Sequence, residues 1–94
     1  MGAEQKGRIT IIEPVQAKHF TAFDIYLDNG TRITLPPVGY ITINQLKPGD
    51  NLRLSPHEAT INTRIIATRD KKRVTSFIVG NEYIMSPQKT KIRK

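Results

Sequence analysis

Residues 23–35 constrain the fold more than any other stretch, because two alternating runs flank a turn at Asp28-Asn29-Gly30. Alternating apolar and polar residues on either side of an Asn-Gly pair are typical of a β-hairpin. A two-residue loop would mix apolar and polar side chains on both faces of the hairpin. A three-residue loop gathers the apolar side chains on one face, so we predict that register, with Gly30 in a left-handed conformation.

This register predicts one apolar face for the core and one polar face for solvent. The polar face would present an aromatic side chain beside a cation, Tyr26 with Arg32. The predicted pairs are Phe23 with Leu35, Asp24 with Thr34, Ile25 with Ile33, Tyr26 with Arg32 and Leu27 with Thr31.

The rest of the chain consists of further short alternating runs separated by Gly, Pro and Asn, which is typical of an all-β fold. Pro48-Gly49 fits the centre of a type II turn. Residues 39–44 could form a strand or one helical turn. We predict a small single-domain β-barrel over residues 7–87, followed by a basic flexible tail, residues 88–94. Other predicted strands cover residues 8–13 (ended by Pro14), 51–54, 60–68, 73–79 and 82–86.

Four local expectations accompany this fold. Phe20 is expected to pack inward, and Ser55-Pro56 resembles the start of a short helical turn. A charged loop at residues 69–72 would place Arg64 opposite Phe77. Residues 73–86 would form a second hairpin, turning at Gly80-Asn81.

Length and composition exclude several classes of protein. Ninety-four residues correspond to one domain, and the absence of cysteine excludes disulfides and thiolate chemistry. No apolar run reaches the roughly 18 residues of a membrane helix, and the first seven residues lack the apolar centre of a signal peptide. We therefore expect a cytoplasmic protein without a membrane partner.

Catalytic and metal-binding patterns are absent from the sequence. The two histidines, His19 and His57, are far apart and have no acidic neighbours at ligand spacing. Most carboxylates stand beside turns, where they cap the backbone, and no glycine-rich phosphate loop is present. We expect no enzymatic activity, no metal and no cofactor.

The net charge of +7 is unevenly distributed along the chain. Residues 1–47 carry a balance of +1, whereas residues 48–94 carry +6. Such asymmetry suggests a polyanionic partner. The alternative is that the charges only keep the protein dispersed.

Binding of RNA or single-stranded DNA requires cations along the backbone and aromatic platforms for bases. Two predicted pairs combine these groups, Tyr26 with Arg32 and Arg64 with Phe77. Each pair could equally be an ordinary cross-strand contact. The candidate nucleic-acid-binding residues are Tyr26, Arg32, Arg53, Arg64, Arg69, Lys71, Lys72, Arg73 and Phe77.

Three stretches resemble the OB-fold of bacterial translation initiation factor one and S1-type RNA-binding domains. They are residues 23–30 (FDIYLDNG), 46–54 (LKPGDNLRL) and 63–66 (TRII). The resemblance implies an OB-like barrel that binds RNA on its strand surface, through Tyr26, Arg32, Arg53 and Arg64. The chain departs from the pattern at Thr63, where the family has glycine, and in the additional residues 73–86.

Residues 25–30 (IYLDNG) and 77–84 (FIVGNEYI) are also similar to the two strand motifs of Sm-like RNA-binding rings. The Arg-Gly of the second motif is Val79-Gly80 here, and the nucleotide pocket of the first motif is not evident. An SH3-like barrel is a further alternative. In that case the protein would be an interaction or assembly module that recruits a protein partner through an exposed strand edge.

Overall fold

The computed structural model describes residues 4–35, 44–58 and 61–86. These residues form one sheet of seven antiparallel strands, in the order β6-β5-β4-β1-β2-β3-β7, which confirms the all-β class. The segment β4-β1-β2-β3 is a Greek key, because the fourth strand returns to lie beside the first. The strands are β1 (Gln5–Gln16), β2 (Thr21–Leu27), β3 (Arg32–Leu35), β4 (Asn51–His57), β5 (Asn62–Arg69), β6 (Lys72–Gly80) and β7 (Ile84–Met85).

The β2–β3 hairpin has the predicted register. Ile25 lies opposite Ile33 and Tyr26 opposite Arg32, and the Leu27 N–H donates to Thr31 O at 2.9 Å. Gly30 has φ of 92°, the left-handed conformation that the three-residue loop requires. The face predicted to be polar is partly covered, however, since Asp24 is buried and accepts a hydrogen bond from Thr34 Oγ1 at 2.7 Å.

Strand β1 is longer than predicted and contains a bulge. The register with β2 shifts between Ile9 and Ile11, so that Ile9 and Ile12 both face the core while Ile11 is exposed. Pro14 was expected to end the strand but lies within it. The Ala17 N–H donates to Phe20 O, which makes Ala17 a hydrogen-bonded position of the β1–β2 ladder. Hydrogen-bonded and non-hydrogen-bonded positions alternate along an antiparallel strand, so Pro14 lies at a non-hydrogen-bonded position and its nitrogen points away from β2.

Apolar side chains from six strands meet in a single core. Strand β1 contributes Ile9, and Leu46 adds to the core from the segment before β4. Ile84 of β7 packs against this cluster as a partly buried residue. The remaining buried members are Ile25, Leu27, Ile33, Leu35, Leu52, Leu54, Ile65, Ala67 and Val79.

Strand β1 is shared by the two halves of the sheet. Its residues 5–8 pair with β4, whereas residues 9–16 pair with β2. The β2–β3 turn docks on it, because Asp28 Oδ1 accepts the Arg8 N–H at 2.9 Å and Asn29 Nδ2 donates to Lys6 O at 3.0 Å. The approach is close enough that a Cβ on Gly7 would meet Leu27 at 3.0 Å.

A second turn holds β1 from the side of β4. The Asp50 N–H donates to Lys47 O at 3.1 Å, and Gly49 has φ of 99°, as expected for a type II turn at Pro48-Gly49. The Gly49 N–H donates to Ile9 O at 2.8 Å, and the Ile9 N–H donates to Asp50 O at 2.9 Å. Both turns therefore fix the part of β1 that precedes the bulge.

Two local expectations around these strands are wrong. Residues 55–57 extend β4, with Pro56 opposite Thr63, instead of starting a helical turn. Phe20 is 46% exposed in the β1–β2 connection, where the short link between strands leaves its ring outside the core.

The β5–β6 hairpin follows the predicted register only next to its turn. Asp70 and Lys71 both have positive φ, and Thr68 pairs with Arg73 as expected. Val74 is then an extra residue, so Arg64 lies opposite Ile78 instead of Phe77. The predicted Arg64–Phe77 pair does not form.

Residues 73–86 do not form a hairpin, contrary to expectation. After a 3-10 turn at Asn81–Tyr83, β7 pairs with β3, with Ile84 opposite Ile33. Strands β6 and β7 therefore lie at opposite ends of the strand order although three residues connect them.

The expectations for residues 39–43 and for the tail, residues 88–94, lie outside the described residues. Within the described ranges there is no helix with the length and apolar character that crossing a membrane requires.

We predict that Gly49→Ala lowers the free energy of unfolding by about 1 kcal/mol, the cost of a left-handed conformation for an L-residue. A Cβ at this position would meet nothing within 4 Å, so the penalty comes from the backbone alone. The urea midpoint measures it. Gly80→Ala is the control, because Gly80 has φ of −65° and an added Cβ would meet the flexible Glu82 carboxylate at 2.9 Å and the Tyr83 ring at an ordinary contact distance of 3.6 Å. Equal midpoints for the two variants would contradict the prediction.

Candidate nucleic-acid interface

The pairing of β1 with β4 brings four polar side chains to the face of the sheet that points away from the core. Along β4, exposed Asn51 and Arg53 alternate with buried Leu52. Directly paired residues share a face, so Arg53 has Lys6 beside it and Asn51 has Arg8 beside it. We refer to this side of β1, β4, β5 and β6 as the outer face.

The row that contains Asn51 continues across two further strands. Asn51 pairs with Thr68 on β5, and Thr68 pairs with Arg73 on β6. Arg8 and Arg73 are therefore the two ends of one row, three strand spacings or about 14 Å apart. The next row runs from Lys6 through Arg53 to Ile66 and Ser76 in the same way.

These rows border an open groove of about 680 Å³. Its basic side chains come from β1, β4, the β5–β6 turn and β6. Polar and apolar side chains of the two rows, Asn51, Ile66 and Thr68, also line it. We name it the basic groove after its five cations, Lys6, Arg8, Arg53, Lys71 and Arg73.

Negative charge near the groove is limited and already engaged. Asp28 lines the groove, but its carboxylate accepts the Arg8 N–H and so caps the backbone. Glu4 forms an ion pair with Arg53 at 3.3 Å, and both side chains are about half exposed, at 45% and 55%. An exposed pair of this kind contributes little and opens at small cost.

Three of the predicted site residues line the basic groove, namely Arg53, Lys71 and Arg73. Arg64 lies nearby on the outer face, paired with Ser55 and Ile78, but does not line the groove. The structure thus brings these four predicted cations to one side of the sheet.

Arg69 has a structural partner instead. Its Nε donates to Asp50 Oδ1 at 2.7 Å and its Nη2 to Asp50 Oδ2 at 2.8 Å, and Nη2 also reaches Gln45 O at 3.0 Å. Asp50 is only 1% exposed, and its Oδ2 also accepts the Lys47 N–H at 3.0 Å. The hydrogen bonds from Arg69 hold the pKa of Asp50 below its ordinary value, although burial opposes them. The same contact raises the pKa of Arg69.

The other four predicted residues lie away from the groove. Phe77 is opposite Ile65 and packs against the core. Lys72 pairs with Arg69 and so projects from the side opposite to Arg73. Tyr26 and Arg32 are half-buried on the β2–β3 hairpin, and the Arg32 Nε is buried without a hydrogen-bond partner.

Sequence reasoning missed two of the five groove cations, Lys6 and Arg8. The signal was present, because these cations alternate with Gly7 and Ile9 in the period of a half-buried strand. The Asp50–Arg69 pair also has a signal in the sequence. Aligning the two leucines of β4 with the apolar residues of β5 places Asp50 across from Arg69.

The groove offers electrostatic attraction and hydrogen bonding. Neither histidine lines it. No group of three or more potential metal ligands occurs in the part of the chain that the structure describes.

Comparison of the chain with models of protein families, with curated proteins and with solved structures gave no match in any of the three. The resemblances to OB-fold and Sm-like domains therefore stay predictions from the sequence.

We predict that the Asp50–Arg69 pair makes stability depend on pH. The pKa of Asp50 is lower in the folded protein than in the unfolded chain, where it is about 4. The ionised carboxylate therefore contributes fully to the free energy of unfolding above pH about 4, and this contribution is lost as the pH falls through the folded-state pKa. Asp50→Asn should therefore lower the urea midpoint at neutral pH, and the difference from wild type should shrink in acid.

Asp70→Asn provides the control for this titration. Asp70 is exposed in the β5–β6 turn, and asparagine adopts its positive φ readily. Its midpoint should stay close to that of the wild type over the whole pH range, because Asp70 acts on Arg69 through its charge but forms no ion pair with it in the described residues. A constant difference between wild type and Asp50→Asn down to strongly acidic pH would show that the carboxylate is not responsible.

Proposed function

We propose that the protein binds nucleic acid, either RNA or single-stranded DNA, through the basic groove and without catalysis. The observation that carries this proposal is the composition of the groove, where five cations face one acidic side chain. That acid is occupied by the backbone N–H of Arg8.

The electrostatics of the groove favour a polymer of phosphates over a single small anion. Its cations come from four segments of chain and extend across the sheet. Within the described ranges, no carboxylate forms an ion pair with Lys6, Arg8, Lys71 or Arg73. Cations that are free to neutralise phosphates release condensed counterions, which drives association and makes it depend on salt.

We further propose that the sheet closes into a small OB-like barrel. The OB-fold is a Greek-key barrel, and the order β4-β1-β2-β3 is a Greek key. The three-residue connection between β6 and β7 supports closure, because it draws together the two ends of the strand order.

We predict that Arg53→Gln with Arg73→Gln weakens binding of a short labelled single-stranded oligonucleotide at least tenfold at about 50 mM salt. Each lost phosphate contact should also reduce the slope of log K against log salt by about 0.7. Fluorescence anisotropy titrations at several salt concentrations measure both quantities.

Lys18→Gln with Lys72→Gln is the matched control for this variant. It removes the same charge from exposed positions that do not line the groove. Affinity and salt slope should stay close to those of the wild type. Equal weakening by the two double variants would mean that net charge matters and the groove does not. If the wild-type protein shows no binding at this salt concentration, the proposal fails.

An assembly module is the second candidate, and it applies if the sheet stays open at β6 instead of closing as proposed above. Among the described strands, β6 pairs only with β5, and Ile78 on this strand is 46% exposed. Unpaired strand edges recruit further strands. If this edge mediates self-association, light scattering should show a mass that rises with protein concentration, and Ile78→Lys should abolish the rise. A concentration-independent monomer would exclude self-assembly through this edge.

A further inference from the structure

We infer that the basic groove recognises the sugar–phosphate backbone of nucleic acid and does not read or stack its bases. This inference rests on the proposed function and specifies which part of the ligand the groove contacts.

The first support concerns stacking platforms. Base-stacking proteins place aromatic rings along the strand that they bind. Among the residues that the structure describes, no aromatic side chain lines the basic groove. Of the six aromatic residues in the sequence, Tyr40 alone lies outside the described ranges.

The described aromatic residues serve elsewhere in the fold. Phe23 and Phe77 pack against the core, on the inner side of the sheet. Tyr26 lies on the β2–β3 hairpin opposite Arg32, and Phe20 lies in the β1–β2 connection. Tyr83 belongs to the 3-10 turn that leads to β7. None of these residues lines the basic groove.

The second support is the character of the groove cations. Arginine reads a guanine base through a bidentate pair of hydrogen bonds, which requires its planar donors to take one defined orientation. Arg69 is fixed in that way by Asp50, but this pair is part of the fold. Arg8 and Arg73 are exposed and have no carboxylate partner among the described residues, so they are suited to diffuse phosphate contacts.

The third support is the spacing of charge. Lys6 and Arg8 are two residues apart on β1, and Lys6 and Arg53 are on adjacent strands, which gives steps of about 5–7 Å between cations. Asn51 and Thr68 fill the positions between Arg8 and Arg73 with hydrogen-bonding groups that suit phosphate and sugar oxygens. The two rows that border the groove thus carry repeated positive charge, and Ile66 is their one apolar member.

The test compares an oligothymidylate with an abasic strand of the same length and charge, using the full chain at about 50 mM salt. We expect the two dissociation constants to agree within about threefold, because stacking on even one base would change them by roughly tenfold. Arg53→Gln with Arg73→Gln should weaken both strands by the same factor.

Three outcomes would overturn the inference. If the abasic strand binds more than about tenfold worse than oligothymidylate, bases are read although the proposed function stands. If Tyr40→Leu weakens oligothymidylate but not the abasic strand, a stacking residue contributes to the site. If neither strand binds, the proposed function fails and the inference fails with it.

Discussion

The buried carboxylate of Asp50 is the interaction on which the rest of the structure depends. It accepts two hydrogen bonds from Arg69 at the end of β5 and one from the turn that precedes β4. Its own carbonyl accepts the Ile9 N–H, so three segments meet at one residue. A charge with 1% exposure is tolerated only with such partners, because an unpaired buried carboxylate would be costly. This explains why Arg69, which the sequence predicted to bind nucleic acid, holds the fold together instead.

The hairpin over residues 23–35 could be predicted in detail because its information is local. Its loop length follows from which register separates apolar from polar side chains, and both strands lie within a few residues of the turn. The same reasoning fails at bulges. Thr10 and Val74 are extra residues in their strands, and each shifts the register of the residues that follow. The alternation of apolar and polar residues around them does not reveal the shift. The Arg64–Phe77 pair was wrong for that reason.

The site was partly predictable, and the limit again is distance along the chain. The cations of β4 and β6 were found because they lie in runs of evident strand character. Lys6 and Arg8 were missed because the groove forms only when β1 returns to β4, a pairing that no local pattern reveals. Tyr26 and Arg32 were correctly paired, but the structure half-buries them. Charge in the sequence predicted a basic surface, and the strand order decided which cations share it.

The sharing of β1 between two partners also has a consequence for folding. The β2–β3 and β5–β6 hairpins close over short turns, whereas Gln5 must find Leu54 across the intervening strands. Long loops cost more entropy to close, so the β1–β4 and β3–β7 pairings depend on contacts made by the rest of the sheet. The groove spans the β1–β4 junction. A polyanion bound there would stabilise the pairing of β1 with β4 by mass action, so binding and folding are thermodynamically linked.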